Sequence, residues 1–200
     1  MKRFFLFSAI VALSVVLVQA QGLNPGDKAP DFKLKNVDGT MVSMADHADA
    51  KGFVVIFTCN HCPVSVAYED RIIALHDKYA PKGYPVIAIN PNDPAVQPQD
   101  SYEAMQKRAI DKGFPFPYLF DDGQKVYPKY GATRTPHVYI VQKEQSDYIV
   151  RYIGAIDNNQ RDANNANERY VAAALDALLA GQPVPTATTV AIGCTIKVKK

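Results

Sequence analysis

Hydrophobic and polar positions follow two different periods along this chain. Residues 53–57, Phe-Val-Val-Ile-Phe, are an unbroken apolar run rich in β-branched side chains, the pattern of a strand buried on both faces. From 62 to 80 the period lengthens. Val64, Tyr68, Ile72, Leu75 and Tyr79 recur every three or four residues and so share one face of a helix. Gly83 and Pro85 punctuate a second buried strand at 86–89, and a Pro- and Asn-rich loop over 90–99 leads to a helix predicted at 101–112. There Asp100 and Glu103 have the spacing of a capping box, and Gly113 is a suitable stop.

Upstream, segments 31–35 and 40–44 flank Asp38-Gly39, a hairpin turn signal. Downstream, a helical turn near 122–130 is interrupted by Pro128, and two strands follow at 137–141 and 148–153. The last helix spans 167–180, with Val171, Ala174, Leu175 and Leu178 on one face and Gly181 as its stop. Residues 157–167 read as a polar loop, and 182–200 as an extended C-terminal tail. A hairpin, a strand–helix–strand–helix unit, two strands and a closing helix predict an α/β fold, a central mixed sheet with helices on both faces.

The first residues change the picture of where the protein works. Lys2 and Arg3 precede an apolar run from Phe4 to Val18, and Val18-Gln19-Ala20 supplies small residues for cleavage. This is the pattern of a signal peptide over 1–20, and the run is short for a membrane span. Export, in the bacterial setting to the periplasm, is therefore expected, with an uncleaved signal segment as the one route to membrane attachment. One domain is expected over 24–181. Formal net charge is +2 for the 200-residue chain and falls to zero once residues 1–20 are gone. Apart from the lysine-rich end there is no basic run, so nothing predicts a nucleic-acid partner.

Three cysteines remain to be explained: Cys59, Cys62 and Cys194. An exported Cys-x-x-Cys is open to reading as a staple, a metal site or a redox centre. Its place decides. Cys59 follows the end of a buried strand and Cys62 opens a helix, the sheet edge where reactive groups collect in open α/β folds. Free N–H groups and the positive dipole end of the helix stabilise a thiolate there. Pro63 suits the first helical turn, where its missing N–H costs nothing. His61 between the two sulfurs is expected to favour the thiolate further and to make the disulfide relatively oxidising. As a staple the pair gains little, because its loop is so short, and a structural zinc site needs more ligands than one such pair supplies.

On these residues the chain resembles the thioredoxin-like redoxins, the group that holds thioredoxins, exported oxidoreductases of the TlpA and ResA type, and the AhpC/TSA peroxiredoxins. Gly26-Asp27-Lys28-Ala29-Pro30-Asp31-Phe32 looks like the redoxin opening, and the stretch from Tyr130 to His137 looks like the approach to the family's cis-proline. Cys59-Asn60-His61-Cys62-Pro63 with the late Gly193-Cys194 is similar to a set of exported members. The resemblance implies a thioredoxin-like fold, Pro136 cis beside Cys59, and the Thr135 backbone available to pair with a substrate chain. It implies thiol–disulfide oxidoreductase activity on protein thiols and disulfides, with a separate redox partner and no cofactor. Cys59 is expected to attack and Cys62, the deeper sulfur, to resolve.

There are departures from the family pattern. Thr58 stands where a Trp is usual, and residues 53–57 hold no buried acid. Glu69 and Asp70 are near in sequence but expected to face solvent. A thiol peroxidase of the peroxiredoxin type is one alternative, although three residues before Cys59 stands Ile56, not Thr or Ser. A copper chaperone of the same fold is another, with Cys59, Cys62, His61 and His137 as soft donors. Cys194 is a candidate third redox cysteine. Resolving the pair, linking two chains and remaining a free thiol are all open to it.

Overall fold

The computed structural model describes residues 22–199, so the expected signal peptide lies outside the described residues. The hairpin forms as β1 (Leu34–Asn36) and β2 (Met41–Val42), turning through Gly39 at φ 89°. The apolar run becomes β3 (Gly52–Phe57), buried at every residue. Then come α1 (Pro63–Tyr79), β4 (Val86–Asn90) and α2 (Tyr102–Lys112). A strand that the sequence reading lacked, β5 (Tyr118–Phe120), precedes the four-residue α3 (Tyr127–Tyr130). The chain continues through β6 (Arg134–Thr135), β7 (His137–Glu144), β8 (Asp147–Gly154), α4 (Tyr170–Leu179) and β9 (Cys194–Thr195).

Seven strands form one mixed sheet in the order β2-β1-β5-β4-β3-β7-β8. β4 runs parallel to both β3 and β5, while β7 runs antiparallel to β3 and β8. Side chains of β3 alternate between two cores. Phe53, Val55 and Phe57 join Tyr130 of α3, Phe32, Met44 and Ile196 on one face, and Val54 and Ile56 meet α1, α2 and α4 on the other. Each such buried side chain contributes roughly 1.5–3 kcal/mol, which holds the strand at the centre of the sheet. The expected α/β architecture with helices on both faces is the one observed.

β5 escaped the sequence reading because Pro115 and Pro117 crowd a short apolar run. Tertiary context supplies the pairing. Ala88 N donates to the carbonyl of Pro117 at 3.0 Å, and Asn36 Oδ1 accepts from Tyr118 N at 2.9 Å.

The capping-box reading of Asp100 is corrected. Ser101 is the N-cap of α2, its hydroxyl accepting from Ala104 N at 3.2 Å. The Asp100 side chain turns the other way, into the protein, and is fully buried.

The tail is extended, as expected, but it is not free. Thr189 N donates to Ile153 O at 2.9 Å and Ile153 N to Ala187 O at 3.0 Å, so the tail crosses the end of β8 before β9 pairs with β6.

Candidate active site

Leaving β3, the backbone is held once more by Thr58 N donating to Ile89 O at 2.9 Å, and it then quits the sheet. Cys62 is the N-cap of α1, extended at φ −67° and ψ 121°, with Pro63 in the first turn as expected. Its carbonyl accepts from Val66 N at 2.9 Å. The sulfur therefore sits at the end of the helix where the N–H groups lack partners. Across from the motif, the Thr135–Pro136 bond is cis. Thr135 Oγ1 lies 3.2 Å from Cys59 Sγ, and the Thr135 carbonyl oxygen lies 3.4 Å from Cys62 Sγ.

The disulfide joins Cys62 to Cys194, with Cα atoms 6.0 Å apart, and Cys59 is a buried free thiol. The expected bond between Cys59 and Cys62 is thus not the one present. The spacing of a Cys-x-x-Cys shows that two sulfurs can meet but says nothing about a third brought in from 132 residues away. Cys62, expected to be the deeper of the pair, is 0% exposed against 2% for Cys59, and Cys194 is half-buried.

Electrostatics beneath Cys59 come from an acid that sequence reading did not place. Asp100 Oδ1 accepts from Asn60 N at 2.7 Å, and Oδ2 lies 2.5 Å from His61 Nδ1 and accepts from Asn92 Nδ2 at 2.7 Å. His61 Nδ1 is also 3.6 Å from Cys59 Sγ. Burial raises the Cys59 thiol above its usual range, and the Asp100 carboxylate raises it further. Hydrogen bonds from Thr135, the Cys62 backbone and Ser65 oppose both. The expected low-pKa Cys59 is therefore corrected for this state: desolvation outweighs the neighbouring donors. The signal that could have found Asp100 is the Asn90-Pro91-Asn92 loop, which leaves β4 at the same edge as the motif.

Glu69 is corrected too. It is 4% exposed and accepts from Arg108 Nε at 2.8 Å and Nη2 at 2.7 Å. Together with Thr58, Cys59, Ile72, Phe114, Phe116 and Tyr118 it lines a small cavity. Asp70 does face solvent.

The four donors named for copper do not converge. His137 Nδ1 accepts from Thr133 N at 3.3 Å, its ring packs on Tyr139, and Cys62 is bonded to Cys194. The ligand atoms of Cys59, His61 and Asp100 lie within 4.8 Å of one another, but His61 Nδ1 already engages the carboxylate.

The backbone edge of Thr135, expected to be open, is taken by the tail. Arg134 pairs with Thr195 and Thr135 with Cys194 in an antiparallel ladder. Gly193 is required here, because a Cβ would collide with the Thr135 carbonyl. Arg134 Nη1 donates to Gly193 O at 3.4 Å, and Ile196 N to Thr133 O at 3.4 Å. Beyond it, Lys197 N donates to Asn92 Oδ1 at 2.8 Å, and Lys197 O accepts from Asp93 N and Gln124 Nε2. Asn92 thus holds the tail with its oxygen and Asp100 with its nitrogen.

The AhpC/TSA family model matches residues 25–153. A crystal structure of an uncharacterized conserved protein from Geobacillus kaustophilus is 40% identical, with a TM-score of 0.80, covering 88% of this chain and 92% of that one. A hypothetical protein from Sinorhizobium meliloti 1021 is 30% identical, with a TM-score of 0.81, covering 90% and 97%. Among curated relatives, the thiol-disulfide oxidoreductase ResA of Halalkalibacterium halodurans is 25% identical over 119 residues, 59% of this chain. The match spans 62% of that relative's length.

Proposed function

The chain belongs to the AhpC/TSA family, and from that premise we propose that it is an exported thiol–disulfide oxidoreductase acting on protein thiols and disulfides, with Cys59 and Cys62 as its redox pair. The observation that carries this reading is the cluster of three cysteines against Thr135-Pro136, two of them already joined as a disulfide. The relative named as a thiol-disulfide oxidoreductase supports it.

In the reducing direction, the Cys59 thiolate attacks one sulfur of a substrate disulfide and the other substrate sulfur leaves as a thiolate. Cys62, at the start of α1, then attacks Cys59 Sγ, frees the second substrate thiolate and leaves a Cys59–Cys62 disulfide. Two electrons pass to the substrate and two protons follow to its sulfurs. Thr135 Oγ1 is a donor for the Cys59 thiolate, and the His61–Asp100 pair, whose shared Nδ1 lies 3.6 Å from the sulfur, is the acid–base group beside it. Pro63 starts the helix that stabilises Cys62, and the cis bond to Pro136 follows Thr135, whose hydroxyl and carbonyl lie against the two sulfurs. The lead segment 1–20 supports export to the periplasm, where an unidentified redox partner resets the pair. Membrane attachment through an uncleaved lead is the remaining route to a surface, and no nucleic acid enters the scheme.

The Thr135 hydroxyl beside Cys59 also favours a second reading, a thiol peroxidase in which that hydroxyl orients a peroxide. Insulin reduction driven by dithiothreitol, run beside peroxide consumption, separates the two. The exchange reading expects catalysed insulin reduction lost in Cys62→Ser. Fast peroxide consumption with no insulin reduction would replace it by the second reading.

A further inference from the structure

β9 occupies the backbone edge that an extended substrate chain would need, and it presents a cysteine there. It is built in, not merely laid on: Gly193 is in contact with the Thr135 carbonyl, Ile196 is buried in a core cluster, and Lys197 is tied to Asn92, Asp93 and Gln124. We propose that the C-terminal strand is an internal disulfide partner: Cys194 takes the bond from the redox pair, closes the substrate edge, and is the sulfur at which an external dithiol reopens it. This deepens the oxidoreductase reading and rests on it.

The steps balance. The Cys194 thiolate attacks Cys62 Sγ of a Cys59–Cys62 disulfide, forming the Cys62–Cys194 bond and releasing Cys59, which takes up a proton. That end state is the one observed, with Cys59 a buried thiol. An external dithiol then attacks Cys194, because Cys62 has no exposed surface and Cys194 is partly exposed. The bond to Cys62 breaks, and Cys62 leaves as a thiolate at the α1 N-terminus, a favourable leaving position. The second thiol of the dithiol attacks its own sulfur in the mixed disulfide and frees Cys194. The dithiol is oxidised, the protein disulfide is reduced, and β9 loses the covalent anchor that holds it on β6.

Self-occlusion follows from the same geometry. While the bond is closed, the Arg134–Thr135 edge is paired and Cys59 is buried. When it opens, a substrate chain competes for the edge with a strand only two residues long.

The probe is glutathione applied briefly to the oxidised full chain and quenched with acid; excess N-ethylmaleimide is then added under denaturing, mildly acidic conditions to cap every free thiol, and the adducts are read by peptide mass spectrometry. The expected adduct is glutathione on Cys194 with maleimide on Cys62, at least tenfold over the reverse. Glutathione on Cys62 with maleimide on Cys194 would overturn the entry point. Hydrogen exchange of the Ile196 amide is expected to accelerate at least tenfold on reduction, and unchanged protection would overturn the release of the strand. In Gly193→Val, whose side chain cannot seat against Thr135, oxidation is expected to accumulate Cys59–Cys62 in place of Cys62–Cys194. Cys62–Cys194 formation at the wild-type rate in that variant would overturn the role of strand pairing. Insulin turnover is measured in parallel. The expected adducts without turnover refute the oxidoreductase reading alone, and turnover with glutathione on Cys62 refutes the internal partner alone.

Discussion

Oxidation can close two rings in this protein, and they differ in size enough to be told apart by stability. Cys62–Cys194 joins residues 132 apart in sequence. Closing such a loop in the unfolded chain stabilises the fold by about 5 kcal/mol in the chain-entropy description. A Cys59–Cys62 ring is short, and the same relation gives about 1.6 kcal/mol. Cys59→Ser leaves the long ring as the available intrachain bond between close partners, and Cys194→Ser leaves the short one. Each variant is unfolded in urea in its oxidised and reduced forms. Oxidation is expected to add about 5 kcal/mol to Cys59→Ser and about 1.6 kcal/mol to Cys194→Ser. With a urea slope of about 2 kcal/mol/M, the midpoint shifts are about 2.5 M and about 0.8 M, well beyond extrapolation error. Equal shifts, or a larger one in Cys194→Ser, would refute the reasoning that the two oxidised forms differ in stability through the size of the ring each closes.

Two further predictions concern the surroundings of the site. Burial pushes the His137 pKa down to about 4, from an ordinary 6.5. The unfolded chain therefore binds the extra proton first, and the stability contributed by neutral His137, about 3 kcal/mol, is present above pH 6.5 and lost as pH falls toward 4. Urea unfolding across that window is expected to show a slope that His137→Gln removes, and an unchanged slope in the variant would refute the assignment. Arg108→Ala strips the buried Glu69 carboxylate of its bidentate partner and leaves Lys112 Nζ at 3.4 Å. The expected cost is about 3 kcal/mol, largely recovered in Arg108→Ala with Glu69→Leu; a loss that persists in the double variant would show that packing, not the buried charge, sets it.

Local pattern determined a good deal of this protein. The all-apolar 53–57 run could only be a central strand, because each of its faces needs a core. The helical face of Tyr68, Ile72 and Tyr79, the turn at Asp38-Gly39 and the junction of strand and helix at Cys59 and Cys62 follow from period and turn chemistry. Short-range signals failed where a residue's partner lies far along the chain. Asp100 has the local signature of a helix cap, but its hydrogen bonds run to Asn60, His61 and Asn92, which the parallel pairing of β3 and β4 brings to one edge. Glu69 lies on the inward face of α1 because Arg108 of α2 is there to meet it. Cys194 gives no local sign of its partner at all. Composition and spacing identified a sulfur chemistry, and the pairing of the tail with β6 decided that Cys62 bonds to Cys194 while Cys59 is left as a buried thiol. The physical reason is that a disulfide depends on where two Cα atoms come to rest, 6.0 Å apart here, and only the folded chain sets that distance.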